Sequence, residues 1–182
     1  DKMNMDINGK KAIVFGGTSG IGLSATQMLS DKGAHVIAVS RNPEKLKEVP
    51  KNVTTKKINV LDREAIEQFF EEEGEYDILV NSATGGSRAV GPFLDMDLDG
   101  YKASFDKLWG YTNVVRYGAK SLKNDGNIVL VSGSPARKCR PGQIAISSVG
   151  GAVEAFARGI APEIAPKRIN IVSPGIIDTP MS

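Results

Sequence analysis

This 182-residue chain is short of the residues that much chemistry depends on: it has one cysteine, one histidine and one tryptophan. A lone Cys139 excludes an internal disulfide and suits a reducing compartment, so a cytoplasmic location is expected. A lone His35, far from Cys139 in sequence, leaves neither a zinc ligand set nor a Cys–His nucleophile pair, so no metal is expected. No apolar run reaches the ~18 residues that a membrane span needs, and no charged-then-apolar leader is present. Charge of either sign is also scarce in excess. The 23 basic and 21 acidic residues leave a net +2, which gives no electrostatic case for nucleic acid or an anionic membrane. The densest basic cluster, RKCR at 137–140, reads as a solvated loop.

What is present suits an ordinary globular domain, with 41% hydrophobic and 24% charged residues. One domain spanning 1–182 is expected. Short apolar, β-branched runs at 11–15, 35–40, 54–60, 78–81, 127–132 and 169–173 predict strands. Several are apolar throughout, as parallel strands covered on both faces must be. Amphipathic segments at 21–32, 43–49, 63–73, 101–122 and 147–165 predict helices between them. In the last, Val149, Val153, Phe156, Ile160 and Ile164 form one apolar stripe. Strict alternation of this kind predicts an α/β doubly wound parallel sheet, a Rossmann fold, with right-handed crossovers.

The segment KAIVFGGTSGIGLSATQML carries the strongest chemical signal. An apolar strand ends at Phe15, a glycine-rich turn follows, and a helix begins near Ile21. Gly16, Gly20 and Gly22 permit a tight turn, close backbone approach to a pyrophosphate, and close helix–strand packing. The helix N-terminus then presents unpaired N–H donors and a positive dipole end to the anion. Thr18, Ser19 and Ile21 belong to the same turn. The second strand ends in VSRN, where an acidic residue would bind a ribose 2′-hydroxyl. Ser40 and Arg41 stand there instead, and a guanidinium suits a 2′-phosphate. NADP(H) is therefore expected over NAD(H).

With these residues in view, the chain resembles the short-chain dehydrogenase/reductase family over nearly its whole length. GGTSGIG is similar to the family's glycine motif, with Phe15 in place of the usual leading threonine. NVLDRE resembles the adenine-contacting segment, with Asn59 and Val60 at the contact and Asn59 where aspartate is usual. NSAT resembles the Asn-Asn-Ala-Gly motif and nominates Asn81, Ser82 and Ala83. IVLVSG resembles the fifth strand. INIVSPGIIDTP resembles the Pro-Gly-x-x-x-Thr segment and nominates Pro174, Gly175, Ile177 and Thr179 beside the nicotinamide.

The resemblance implies hydride exchange between a nicotinamide and a carbonyl or alcohol. It also implies a tyrosine acid/base, a lysine four residues later, an upstream serine and an asparagine on an earlier helix. Those positions here hold Ile146, Gly150, Gly133 and Lys107. Isoleucine and glycine cannot move a proton. Ser132 and Ser134 flank Gly133 and can orient a substrate oxygen, and Lys107 can supply charge or act as an acid. The structural alternatives are strand-end hydrogen bonding for the serines and a helix-surface site for Lys107. Of Tyr76, Tyr101, Tyr111 and Tyr117, Tyr111 is the one expected within reach.

Three functions remain open at this level. The first is an NADP(H)-dependent oxidoreductase acting on a small carbonyl or alcohol substrate through a non-standard site. The second is a catalytically silent NADP(H)-binding sensor or partner subunit, and the third a lyase or isomerase without redox chemistry. The resemblance also implies a substrate-covering lid and a last strand beyond Ser182. Small residues along 147–165 suggest close helix pairing, and the family pairs this helix between subunits, so a homodimer or homotetramer is expected. Pro162 removes one donor within that helix.

Overall fold

The computed structural model describes residues 6–132 and 139–173. Six strands form one parallel sheet in the order β3-β2-β1-β4-β5-β6. In chain order these are β1 (Lys11–Phe15), β2 (His35–Ser40), β3 (Val53–Lys57), β4 (Tyr76–Asn81), β5 (Leu122–Val131) and β6 (Arg168–Val172). The helices between them are α1 (Gly20–Asp31), α2 (Arg63–Glu73), α3 (Leu98–Ser104), α4 (Asp106–Gly118) and α5 (Ile144–Ile164). The expected doubly wound architecture is therefore present.

Alternation along β1 explains the two layers of core. Ile13 and Phe15 join Leu79, Tyr111, Val149 and Val153 on one face, under α2, α4 and α5. Ala12 and Val14 join Ala25, Leu29 and Val36 on the other, under α1. Successive strand side chains point to opposite faces, and both sets are shielded from water. Phe15 lies between Phe69 and Phe70, with ring centroids 5.9 and 5.8 Å away. The strand order reverses between β1 and β4, which opens a crevice at their C-terminal ends, where open α/β sheets bind ligands.

Several boundaries differ from the periodicity. The helix expected over 43–49 is a single 3₁₀ turn, Pro43–Lys45. Its continuation is opposed by Pro50, which disfavours helical backbone at Val49. The long helix expected over 101–122 is two helices, α3 and α4, meeting at Phe105. At the junction Ser104 Oγ donates to Gly100 O (2.8 Å) and accepts from Ala89 N (2.8 Å), a back-bond of the kind that bends helices. Strand β5 begins at Leu122, paired with Tyr76, before the apolar run starts. Helix α5 begins three residues early and continues through Pro162 to Ile164. It is long and apolar enough to cross a membrane, but Val149, Val153 and Ala157 are buried in the core beside the sheet.

Candidate active site

The crevice at the switch point is a cleft of about 410 Å³, walled by Gly16, Thr18, Ser19 and Gly20 on one side and Ser82, Ala83 and Gly85 on the other. Its shape depends on absent side chains. A Cβ on Gly22 would lie 1.9 Å from Gly16 O, and one on Gly16 would lie 2.6 Å from Ser82 Oγ. Gly20 has φ +52° and open space beyond its Cα, so the backbone there is accessible to a ligand. Helix α1 follows at once, with no acidic residue in its first turn. Its free N–H groups face the cleft unopposed, which is the donor set a pyrophosphate takes. Half-buried Ile21 and buried Gly22 lie in that first turn, behind the rim.

At the far end, Thr18 Oγ1 donates to Ser40 Oγ (2.8 Å), tying the glycine turn to the tip of β2. Arg41 lines the cleft there, and so does Lys45 from the 3₁₀ turn, while no carboxylate lines it among the described residues. Two cations and no acid form a place for a phosphate rather than a ribose hydroxyl pair. The opposite wall is Ile58 and Val60. Val60 is fixed from α4, because Asn113 Nδ2 donates to its carbonyl (3.0 Å) and Gly110 leaves it room. Asn59 is exposed between them, and its Oδ1 accepts from Leu61 N.

The end of β4 and the end of β5 carry the remaining polar groups. Asn81 is fully buried; its Oδ1 accepts from Ala83 N (3.0 Å), and its Nδ2 has no partner among the described residues. Ser132 is 2% exposed, its N–H donates to Val172 O, and its Oγ has no partner among the described residues. Lys107 is buried at 7% exposure, not on a helix surface. Its Nζ stands 5.6 Å from the Tyr111 ring centroid, and Tyr111 donates to Val131 O (2.5 Å) next to Ser132. Tyr111 thus links Lys107 to the tip of β5. Burial first, and the Arg88 charge second, lower the Lys107 pKa from 10.5 to about 8.

Tyr111 is not the accessible acid that the sequence suggested. It is fully buried, its proton is engaged by Val131 O, and burial pushes its pKa up. The tyrosine that meets α5 is Tyr101, whose hydroxyl donates to Ser148 Oγ (3.1 Å). Ile146 is half-buried in the first turn of α5, and Gly150 is buried one turn on.

A cleft with this chemistry on this sheet has close relatives. The short chain dehydrogenase family model matches residues 10–182. The chain belongs to the short-chain dehydrogenase family. It is 31% identical to L-xylulose reductase of Mesocricetus auratus, covering 98% of this chain and 76% of that protein. Identity is 32% to carbonyl reductase (NADPH) 2 of Sus scrofa over the same shares. A short chain dehydrogenase from Burkholderia cenocepacia, solved in complex with NADP, superposes with a TM-score of 0.85 at 28% identity, covering 98% of this chain and 77% of that one.

Set beside the dehydrogenase pattern, the structure brings Gly16, Thr18, Ser19, Gly20, Ser40, Arg41, Val60, Ser82 and Ala83 to one cleft. Lys107 lies beside the Tyr111 ring, and Tyr111 donates to Val131 O, the residue before Ser132. Gly133, Ser134, Pro174, Gly175, Ile177 and Thr179 lie outside the described residues. The sequence overlooked Lys45, Asn113 and Arg88. The spacing of Lys45, four residues after Arg41, was the one signal that pointed to a second cation. Arg88 lies in an irregular stretch without periodicity, and only its fold-back onto α4 gives it meaning.

Proposed function

We propose that this short-chain dehydrogenase reduces a carbonyl group, or oxidises the corresponding alcohol, with Lys107 as proton donor in place of the usual tyrosine. The observation that carries this is a buried lysine on α4, 5.6 Å from the Tyr111 ring, whose pKa burial lowers to about 8. A group with a pKa near neutrality exchanges protons readily in either direction.

NADP(H) is the cofactor, and when bound it supplies or accepts the hydride. The glycine turn and the N-terminus of α1 hold its pyrophosphate, while Arg41 and Lys45 receive the 2′-phosphate. Ile58 and Val60 give the adenine an apolar wall. Ser132 Oγ, buried and unspent among the described residues, orients the substrate oxygen, with Ser134 as the further candidate. The Lys107 ammonium gives that oxygen its proton in the reductive direction and takes one back in the oxidative direction.

Residues 1–182 act in this account as one nucleotide-binding unit in the cytoplasm, on a small carbonyl or alcohol substrate. Gly151, Ala155 and Gly159 repeat every four residues along α5, and a Cβ on Gly151 or Gly159 would meet nothing within 4 Å. That small-residue face supports pairing of α5 across a homodimer or homotetramer. Sedimentation at micromolar concentration checks it, and a monomer would refute it.

Ile146 and Gly150 favour a second reading, in which the protein binds NADP(H) without catalysing a reaction. Purified protein with NADPH and a panel of ketones, aldehydes and quinones separates the two. Turnover that disappears on Lys107→Ala supports the first. Tight NADPH binding without turnover across the panel supports the second.

A further inference from the structure

The apolar wall of the nucleotide cleft, Ile58 and Val60, belongs to the stretch between β3 and α2. A side chain outside regular structure keeps one position only when the backbone beneath it is tied down. Ile58 N supplies the first tie, donating to Ser40 O at the tip of β2 (3.0 Å). The turn then closes on Asn59, whose Oδ1 accepts from Leu61 N (2.9 Å) and whose carbonyl accepts from Asp62 N (2.9 Å). Leu61 N and Val60 O belong to one planar peptide, so they point opposite ways. The N–H side holds Asn59, and the carbonyl side meets α4, where Asn113 Nδ2 donates to it (3.0 Å).

Asn113 and Val60 are both buried, at 5% and 4% exposure, so water does not compete for this bond. Three residues earlier on α4, Gly110 meets the Val60 side chain. A Cβ on Gly110 would lie 2.8 Å from Val60 Cγ2 and 3.3 Å from Val60 Cβ. A β-branched side chain has few rotamers in which to evade such a contact. A methyl at Gly110 must therefore move Val60 relative to the cleft that it lines.

The helix itself gains nothing from these two residues. Tyr111, Val114 and Val115 already bury its apolar stripe. A glycine inside a helix is weaker than alanine, and a buried amide is costly unless it is bonded. Both choices act on one residue outside the helix. Departures of this kind from local preference concentrate at functional sites.

We propose that Asn113 and Gly110 are positioning residues for the dinucleotide, holding Val60 at the depth where its side chain packs against the adenine. Asn113 sets the backbone of the wall, and the missing side chain of Gly110 sets how far the wall stands from α4. This deepens the cofactor assignment above and rests on its placement of the adenine at Ile58 and Val60.

The test titrates 2′,5′-ADP, the phosphorylated adenosine half alone, calorimetrically into the full chain, so no turnover is needed. Asn113→Leu keeps the branched shape without the donor, and Gly110→Ala adds the methyl. Each is expected to weaken 2′,5′-ADP about tenfold. The loss should be the same at low and high salt, because packing is not screened as exposed charge is. In a Val60→Ala background Gly110→Ala should cost nothing further, since the Cγ2 that it strikes is gone. Thermal melts report that each variant is folded. If Asn113→Leu does not fold, Gly110→Ala, which leaves the Asn113 bond in place and favours the helix, carries the test.

Affinity unchanged in Asn113→Leu and Gly110→Ala but weakened in Val60→Ala overturns the positioning role and leaves the adenine site standing. Losses from Gly110→Ala and Val60→Ala that add in full also overturn it, because the two residues then act independently. Affinity unmoved by Val60→Ala, or no binding of 2′,5′-ADP to the wild type, overturns the adenine placement and this inference with it.

Discussion

Lys107 Nζ lies 5.6 Å from the centroid of the Tyr111 ring, one helical turn away, and Tyr111 in turn holds the carbonyl of Val131. The ring face offers the ammonium partial compensation for lost water, worth about 2 kcal/mol when desolvated. Among the described residues no salt bridge to a carboxylate is found for this lysine. A buried cation whose pKa is lowered to about 8 changes charge near physiological pH, whereas one salt-bridged to an acid would not.

The first consequence is kinetic. In its proposed role as the acid in reduction, Lys107 must be protonated, so kcat/KM for carbonyl reduction is expected to fall as pH rises through about 8. Alcohol oxidation, which needs the neutral amine, rises over the same range. Lys107→Ala should lower the rate by about 10²–10⁴-fold and abolish this inflection while NADPH still binds. A retained inflection in the variant assigns it to another group.

Stability should follow the same group. The folded-state pKa of about 8 lies below the ordinary 10.5, so between them the unfolded chain binds more protons. The penalty for burying the charge is full below pH 8, declines as pH rises through that window, and is gone above 10.5. Lys107→Met should therefore raise Tm at pH 7 and flatten the rise in Tm with pH that the wild type shows. Thermal melts at pH 7, 8.5 and 10 measure both.

Tyr111 is assigned to structure. Tyr111→Phe leaves Val131 O without its buried donor and should destabilise the fold by about 1–3 kcal/mol. Turnover per folded molecule should change only a few-fold. A loss of 10²-fold or more would return Tyr111 to the acid/base role that burial argues against.

Arg41 and Lys45, which line the cleft at the tip of β2, are the proposed receptors of the 2′-phosphate. On that reading, replacing either with Ala should weaken NADPH about ten- to a hundredfold. NADH affinity should hardly move, and the NADPH effect should shrink as salt rises, because Arg41 is exposed. Fluorescence titration with both nucleotides measures this. Equal loss for both cofactors would place the cations elsewhere on the nucleotide.

The glycines separate steric need from conformational need. Gly22→Ala would set a methyl 1.9 Å from Gly16 O, a backbone atom, so the turn and α1 must part and NADPH binding should be lost. Gly20→Ala meets open space and carries only the strain of φ +52°, about 1–2 kcal/mol. It should fold and bind NADPH more weakly. Urea melts alongside the nucleotide titrations distinguish the two.

Much of this protein is legible from local order. The apolar runs at β1, β2 and β4 pointed to buried parallel strands, and Gly16, Gly20 and Gly22 after β1 pointed to a close turn into a helix. Backbone sterics and the period of the hydrophobic pattern act over a few residues, so the residues themselves display them. The position of Arg41 at the cleft was also legible, because Ser40 closes β2 and Arg41 follows it directly.

Other features depended on residues far apart in sequence. Lys107 was a candidate acid with a helix-surface site as its alternative, and only the folded chain shows it buried. Tyr111 looked reachable until its hydroxyl met Val131 O, and Tyr101 looked remote until α3 met α5. Arg88 sits in a stretch with no period at all, and its loop lies against Asp106 at Gly85 and against Ser104 at Ala89. Burial comes from packing between elements, and it lowers the pKa of an ordinary lysine to about 8. The sequence by itself determined the sheet, the glycine turn and the nucleotide. Only the tertiary structure decided which side chains lie out of water together, and the chemistry at the end of β5 follows from that.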